Sequence, residues 1–207
     1  MSVCLGIDIG TSSVKSVLVD GDKLRAEAEF ALATVRPRTG WTEQNPADWW
    51  RGVTATLGEL RRKSARTYGG ITAIGLSGQM HGTVLVDAAD RPLRPSILWD
   101  DSRATAEAAA LNENIGDIAA VAGIIAMPGF TAPKLLWLAR HEPELMNRLT
   151  CVLQAKDFIR LLLTGERATD MSDASGMMLL DVGGRRWSDP ITSRCGLGAD
   201  QLRSADR

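Results

Sequence analysis

The first thirty residues fall into short runs of apolar and β-branched residues separated by tight turns. Val3-Cys4-Leu5-Gly6-Ile7, Val14 to Val19 and Ala26 to Leu32 read as strands, with turns at Gly10 to Ser13 and Asp20-Gly21-Asp22-Lys23. Connections this short predict an antiparallel meander. After a loop over Arg36 to Asn45 the period changes to that of a helix. Trp49, Trp50, Val53, Leu57 and Leu60 keep to one face at 3.6 residues per turn. Asn45-Pro46-Ala47-Asp48 supplies an N-cap residue, an N1 proline and an early acid, and Gly69-Gly70 supplies the stop. The tryptophans are expected in the core rather than on a stacking platform. Further strands are predicted at Ile71 to Leu76, Thr83 to Val86 and Ile97 to Trp99. Helices are predicted at Arg103 to Leu111, capped by Asp101 or Ser102, at Ala132 to Arg140, at Pro143 to Leu149, and at Lys156 to Leu163, closed by Gly165. A meander followed by alternating helices and strands argues for a mixed α/β fold.

A chain of 207 residues is long enough to bury a sizeable core without disulfides. Its 44% hydrophobic and 24% charged residues and net charge of -1 fit an ordinary globular protein and give no footprint for nucleic acid. The basic cluster Arg61, Arg62, Lys63 and Arg66 follows an amphipathic run and suits a helix C-terminus, where the macrodipole favours cations. Cys4, Cys151 and Cys195 show no CxxC spacing and have no nearby His, so they read as reduced thiols and not as a zinc site. No basic segment leads into an apolar stretch at the N-terminus, and no apolar run approaches bilayer-spanning length. No membrane association is expected, and the expected location is cytoplasmic.

Two polar stretches carry candidate chemistry. In Asp8-Ile9-Gly10-Thr11-Ser12-Ser13, between two strands, Gly10 is free to take a positive φ, and successive N–H groups would form an anion-binding concavity. The Thr11, Ser12 and Ser13 hydroxyls can donate to phosphate, and Asp8 could hold Mg²⁺ through water. A plain hairpin with polar turn residues would look the same. The glycine-flanked loop Ser77-Gly78-Gln79-Met80-His81-Gly82 is the second stretch, and there too a satisfied loop or core histidine is the plain alternative. His141, in His141-Glu142-Pro143, reads as the end of one helix before the next and receives no function.

Asp8-Ile9-Gly10-Thr11 with Ser13 and Lys15 resembles the first phosphate motif of the actin, hexokinase and sugar-kinase superfamily. Gly40-Trp41-Thr42-Glu43-Gln44-Asn45-Pro46, Leu98-Trp99-Asp100-Asp101-Ser102-Arg103 and Thr169 to Ser175 resemble the FGGY family of carbohydrate kinases, in matching order and spacing. Within it, Gly78-Gln79-Met80-His81-Gly82 and Met127 to Lys134 are similar to the branch acting on xylulose rather than glycerol. The resemblance implies a ribonuclease H-like, actin-like ATPase lobe with a mixed sheet and flanking helices. It also implies ATP and Mg²⁺ as cofactors and D-xylulose as the sugar. Gly10, Thr11, Ser12 and Ser13 would hold phosphate, Asp8 the metal through water, and Gln79, Met80 and His81 the sugar, with Trp99, Asp100, Asp101 and Arg103 lining it. A ribulose, glycerol or gluconate kinase, or a sugar-binding module without catalysis, remains an alternative.

By the same resemblance residues 1–207 form the N-terminal, sugar-binding lobe, incomplete at its C-terminus. The aspartate acting as base and the adenosine-binding lobe would lie beyond Arg207, and Leu197 to Leu202 reads as a segment cut in mid-domain. The isolated chain is therefore expected to be weak or inactive. An apolar face left without that lobe would favour a homodimer.

Overall fold

A computed structural model describes residues 2–198, 201–202 and 205–206. Ala199 and Asp200 of the tail singled out above, and Arg207, lie outside the described residues. In chain order the elements are β1 (Val3–Ile9), β2 (Ser13–Asp20), β3 (Lys23–Ala31), β4 (Glu43–Gln44), α1 (Pro46–Lys63), α2 (Ala65–Tyr68), β5 (Ile71–Gly78), β6 (Val84–Val86) and β7 (Ser96–Ile97). There follow α3 (Thr105–Asn114), α4 (Ile118–Ala122), α5 (Thr131–His141), α6 (Pro143–Met146), β8 (Cys151–Leu153), α7 (Ala155–Thr164), β9 (Thr169–Asp170), α8 (Met171–Gly176), β10 (Leu180–Asp181), β11 (Arg186–Trp187), α9 (Asp189–Arg194) and β12 (Ala205–Asp206). The chain forms two compact units, residues 1–34 with 45–79 and residues 35–44 with 80–207.

The first unit is built on a four-stranded sheet of order β3-β2-β1-β5. β1–β2 and β2–β3 are antiparallel, giving the expected meander, while β5 joins β1 in parallel and makes the sheet mixed. Helix α1 packs across β2 and β3. Its Asn45 cap accepts from Ala47 N, Pro46 stands in the first turn, and Arg61, Arg62 and Lys63 occupy the last. Trp49, Val53 and Leu60 are fully buried, whereas Trp50 and Leu57 are only half-buried. A Cβ at Gly52 would lie 2.8 Å from Val14, so the glycine lets the helix approach the sheet. Burying each large apolar side chain contributes roughly 1.5–3 kcal/mol. The helix ends at Lys63 rather than at Gly69-Gly70, because Ser64 leaves helical geometry and restarts the short α2.

In the second unit β6 pairs with β8 and β4 with β7, both antiparallel. Its core gathers Leu85, Ile97, Leu111, Leu135, Leu138, Met177 and Ile191. Several expected boundaries move. The helix predicted from Arg103 begins at Thr105 and has no side-chain cap, since Asp101 is committed to a buried ion pair with Arg103. The strand predicted over Ile97 to Trp99 is paired only at Ser96–Ile97, and α6 stops at Met146. Gly165 closes α7 in the left-handed conformation at φ 76°. The cysteines are free thiols, Cys151 and Cys195 buried and Cys4 exposed.

Candidate functional site

The hairpin of the first unit places Asp8 near the end of β1, Gly10 to Ser12 in the turn and Ser13 at the start of β2. Asp8 and Ser12 are exposed, Thr11 is half-buried and Ser13 is buried. Gly10 departs from expectation. Its φ is not positive, and its N–H donates to Ser13 O at 3.0 Å, closing the turn internally rather than facing outward. The residue matters for another reason: a Cβ there would sit 3.1 Å from the Ser13 carbonyl. Of the turn's hydroxyls, those of Thr11 and Ser12 are accessible to a phosphate, whereas that of Ser13 is buried.

Gln79 belongs to this hairpin's surroundings. Its backbone N–H donates to Ile9 O at 2.8 Å, its side-chain carbonyl accepts from Thr11 Oγ1 at 3.4 Å, and its amide donates to Gly10 O at 3.4 Å. The structure thus joins Gln79 to the proposed phosphate residues. Among the described residues no cluster of three or more His, Cys, Asp or Glu could hold a metal ion. One exposed carboxylate, Asp8, suits Mg²⁺ that keeps most of its waters.

The second unit assembles a different kind of site around His81. This residue has φ 59°, a left-handed conformation costly for a side chain of its size. Its Nδ1 lies 2.7 Å from Gly176 O, and since a carbonyl only accepts, Nδ1 carries the proton and Nε2 is left as acceptor. Its ring meets Phe130 edge-on, with centroids 4.5 Å apart. Burial lowers the His81 pKa; the Gly176 bond opposes that, the Lys134 charge adds to it, and Asp173 opposes it. A cavity of about 380 Å³ is lined by His81, Phe130, Ser175, Gly176, Gly123 and Val182, among others. Met80 is 57% exposed.

The remaining predicted residues divide sharply. Trp99 is exposed, and Asp100 faces Arg36 at 3.8 Å. Asp101 and Arg103, in contrast, have fully buried side chains. Arg103 bonds Asp101 at 2.8 Å and Glu43 at 2.7 Å, and its guanidinium lies 3.8 Å above the Trp41 ring. Asp101 also accepts from Thr42 N at 2.6 Å. Glu43 pairs in turn with Arg94, and Arg94 with Glu142. These charges brace the loop that presents Trp99 and Asp100. Gly129 abuts that loop so closely that a Cβ would fall 2.1 Å from Trp99 O.

Two lysines carry roles that the sequence did not assign them. Lys134, the last residue of the Met127 to Lys134 motif, is fully buried and donates to His81 O at 2.8 Å and Ile97 O at 3.2 Å. Burial pushes its pKa down to about 7, against the attraction of Asp101. Lys156 sits among Asp157 at 2.6 Å and Asp170 and Asp173, both at 2.8 Å. Burial disfavours its charge, but those carboxylates outweigh it and raise the pKa. Asp170 also caps α8, whose last residue, Gly176, holds His81. The signal for both lysines was present, since a lysine inside an apolar helical stripe calls for a buried acceptor.

The family profile described as the N-terminal domain of the FGGY family of carbohydrate kinases matches residues 3–205. The chain belongs to the FGGY family. It is 44% identical over 200 residues to a xylulose kinase of Escherichia coli strain K12, covering 96% of this chain and 41% of that protein. A solved kinase from Brucella ovis superposes with a TM-score of 0.95 at 46% identity, over 98% of this chain and 42% of the other. A gluconate kinase from Lactobacillus acidophilus superposes with a TM-score of 0.92 at 26% identity, over 100% of this chain and 42% of the other. The chain thus spans about two fifths of the length of the curated FGGY relatives it matches. Its mixed α/β fold, with the antiparallel meander, is shared with these FGGY kinases. Among the described residues no helix is long and apolar enough to cross a membrane.

Proposed function

We infer that residues 1–207 are the N-terminal, sugar-binding lobe of an ATP-dependent kinase that phosphorylates the 5-hydroxyl of D-xylulose. The observation that carries this reading is the state of His81: held in a left-handed turn with Nδ1 committed to Gly176 O, it keeps Nε2 as an acceptor and lines the cavity of about 380 Å³. A ketopentose presents several hydroxyls, and a site built of directed donors and acceptors rejects analogues that lack them. Trp99 and Asp100 supply an apolar wall and an acceptor, and Met80 a polarizable contact. Asp101 and Arg103 act behind them as braces. In the first unit Thr11 and Ser12 would hold phosphate oxygens, with the buried Ser13 supporting the turn and Asp8 orienting a hydrated Mg²⁺. The metal would neutralise charge developing during transfer.

The family resemblance assigns the proton acceptor for the sugar hydroxyl, which phosphoryl transfer requires, to none of these residues. The 207-residue chain is therefore expected to bind sugar without turning over at kinase rates. A thermal-shift series with D-xylulose, D-ribulose, glycerol and gluconate tests the reading. At ten times Kd a ligand stabilises the folded state by roughly 1.4 kcal/mol. D-xylulose should give the largest shift. A larger shift with gluconate would favour a sugar-acid kinase, and no shift with any of the four would reject the sugar site.

A further inference from the structure

We propose that Lys134 is a positioning residue that fixes two sugar-facing loops at once by holding the carbonyls of His81 and Ile97. The proposal rests on the sugar-site reading above. A fully buried ammonium is costly, and a methionine of similar length would pack in its place without that cost. Among the described residues Lys134 makes no ion pair; its hydrogen bonds go to two backbone carbonyls. One carbonyl belongs to His81, which at φ 59° occupies a conformation that persists only where surroundings impose it. The other belongs to Ile97, the last paired residue before Leu98, Trp99 and Asp100.

Each side of His81 is thereby held by a different element. Lys134, on α5, takes its carbonyl, and Gly176, at the end of α8, takes its ring. A Cβ at Gly176 would stand 3.3 Å from the imidazole, so the ring lies against the glycine in space that a side chain there would take up. The same α5 is preceded by Gly129 and Phe130, which contact Trp99 O and the His81 ring. Lys134 therefore ties both walls to one rigid helix. Lost sugar affinity on its removal would follow from a turned imidazole, not from a lost contact with the ligand.

The test is a double-mutant cycle read by stability, by ¹⁵N NMR of the imidazoles and by D-xylulose titration. His81 and His141 are the chain's only histidines, so assignment is direct. In Lys134→Met the His81 signal should leave the Nδ1–H tautomer for a mixture, and D-xylulose affinity should fall roughly tenfold or more. Because glycine adopts the left-handed turn freely, Lys134→Met should destabilise the His81→Gly background far less than the wild type. If Lys134→Met alone fails to fold but His81→Gly/Lys134→Met folds, the proposal is also supported. Equal cost in both backgrounds, failure of both to fold, or an unchanged His81 tautomer in Lys134→Met would overturn it. Should the wild-type chain bind no D-xylulose while the tautomer still depends on Lys134, the sugar reading fails and the positioning role stands.

Discussion

The two units carry their polar chemistry in opposite ways. In the first, the proposed phosphate residues follow one another along a single hairpin, with Asp8 and Ser12 open to solvent and Gln79 bonded to it through its backbone at 2.8 Å and its side chain at 3.4 Å. In the second, the proposed sugar residues come from distant segments and rest on fully buried charged side chains, Lys134 beneath His81 and the Asp101–Arg103 pair beside Trp99 and Asp100. A turn satisfied by local hydrogen bonds needs little support from the core. An imidazole in a left-handed turn needs a great deal. Substitutions in the first unit should therefore change binding with small effects on stability, whereas in the second the two should change together.

The largest effect is expected at Arg103. Arg103→Ala leaves Asp101 buried without its partner and should cost about 3–5 kcal/mol in urea unfolding. A loss below about 1 kcal/mol would mean that these charges do not brace the site.

The pH dependence comes next. Lys134 has a pKa of about 7 when folded, below its value of 10.5 when unfolded, so between them the unfolded chain holds more protons and stability rises with pH. The slope should reach up to ~1.4 kcal/mol per pH unit between pH 7 and 10 and flatten in Lys134→Met. His81, with a pKa also lowered by burial, contributes stability above its unfolded value that is lost as the solution is acidified. His81→Gln should remove that acid limb and leave the alkaline one.

A smaller effect is expected at Gly176→Ala. The new methyl must push the His81 ring by a few tenths of an ångström, weakening D-xylulose binding roughly three- to tenfold. The smallest is expected in the first unit, where Ser12→Ala should change stability by less than about 0.5 kcal/mol. Isothermal titration with ATP or a nucleotide analogue would show whether binding weakens while unfolding does not; an unfolding loss above about 1 kcal/mol would erase the contrast between the units.

What the sequence displayed follows the same division. The meander and α1 were legible because apolar runs, tight turns and the Asn45-Pro46 start are local signals. So was the hairpin of Asp8 to Ser13, though not its internal bond from Gly10 N–H to Ser13 O, which decides where the backbone donor points. His81 stood out as a polar residue between glycines. Its partners did not, because Lys134 and Gly176 lie 53 and 95 positions away, a separation that no local pattern encodes. Asp101 and Arg103 were grouped with the sugar-lining residues by their place in a motif. Burial and the Glu43 pairing, which make them braces, are tertiary facts. The short strands β10 and β11 and helices α4, α8 and α9 lacked enough periodicity to be read in advance.

The proposed D-xylulose site of the second unit depends on His81. Calorimetric titration of D-xylulose into the wild-type chain and into His81→Ala tests it most directly. The account predicts saturable one-to-one binding to the wild type and at least roughly tenfold weaker binding to a folded His81→Ala chain. Equal binding by the two chains, or none by the wild type, would contradict it.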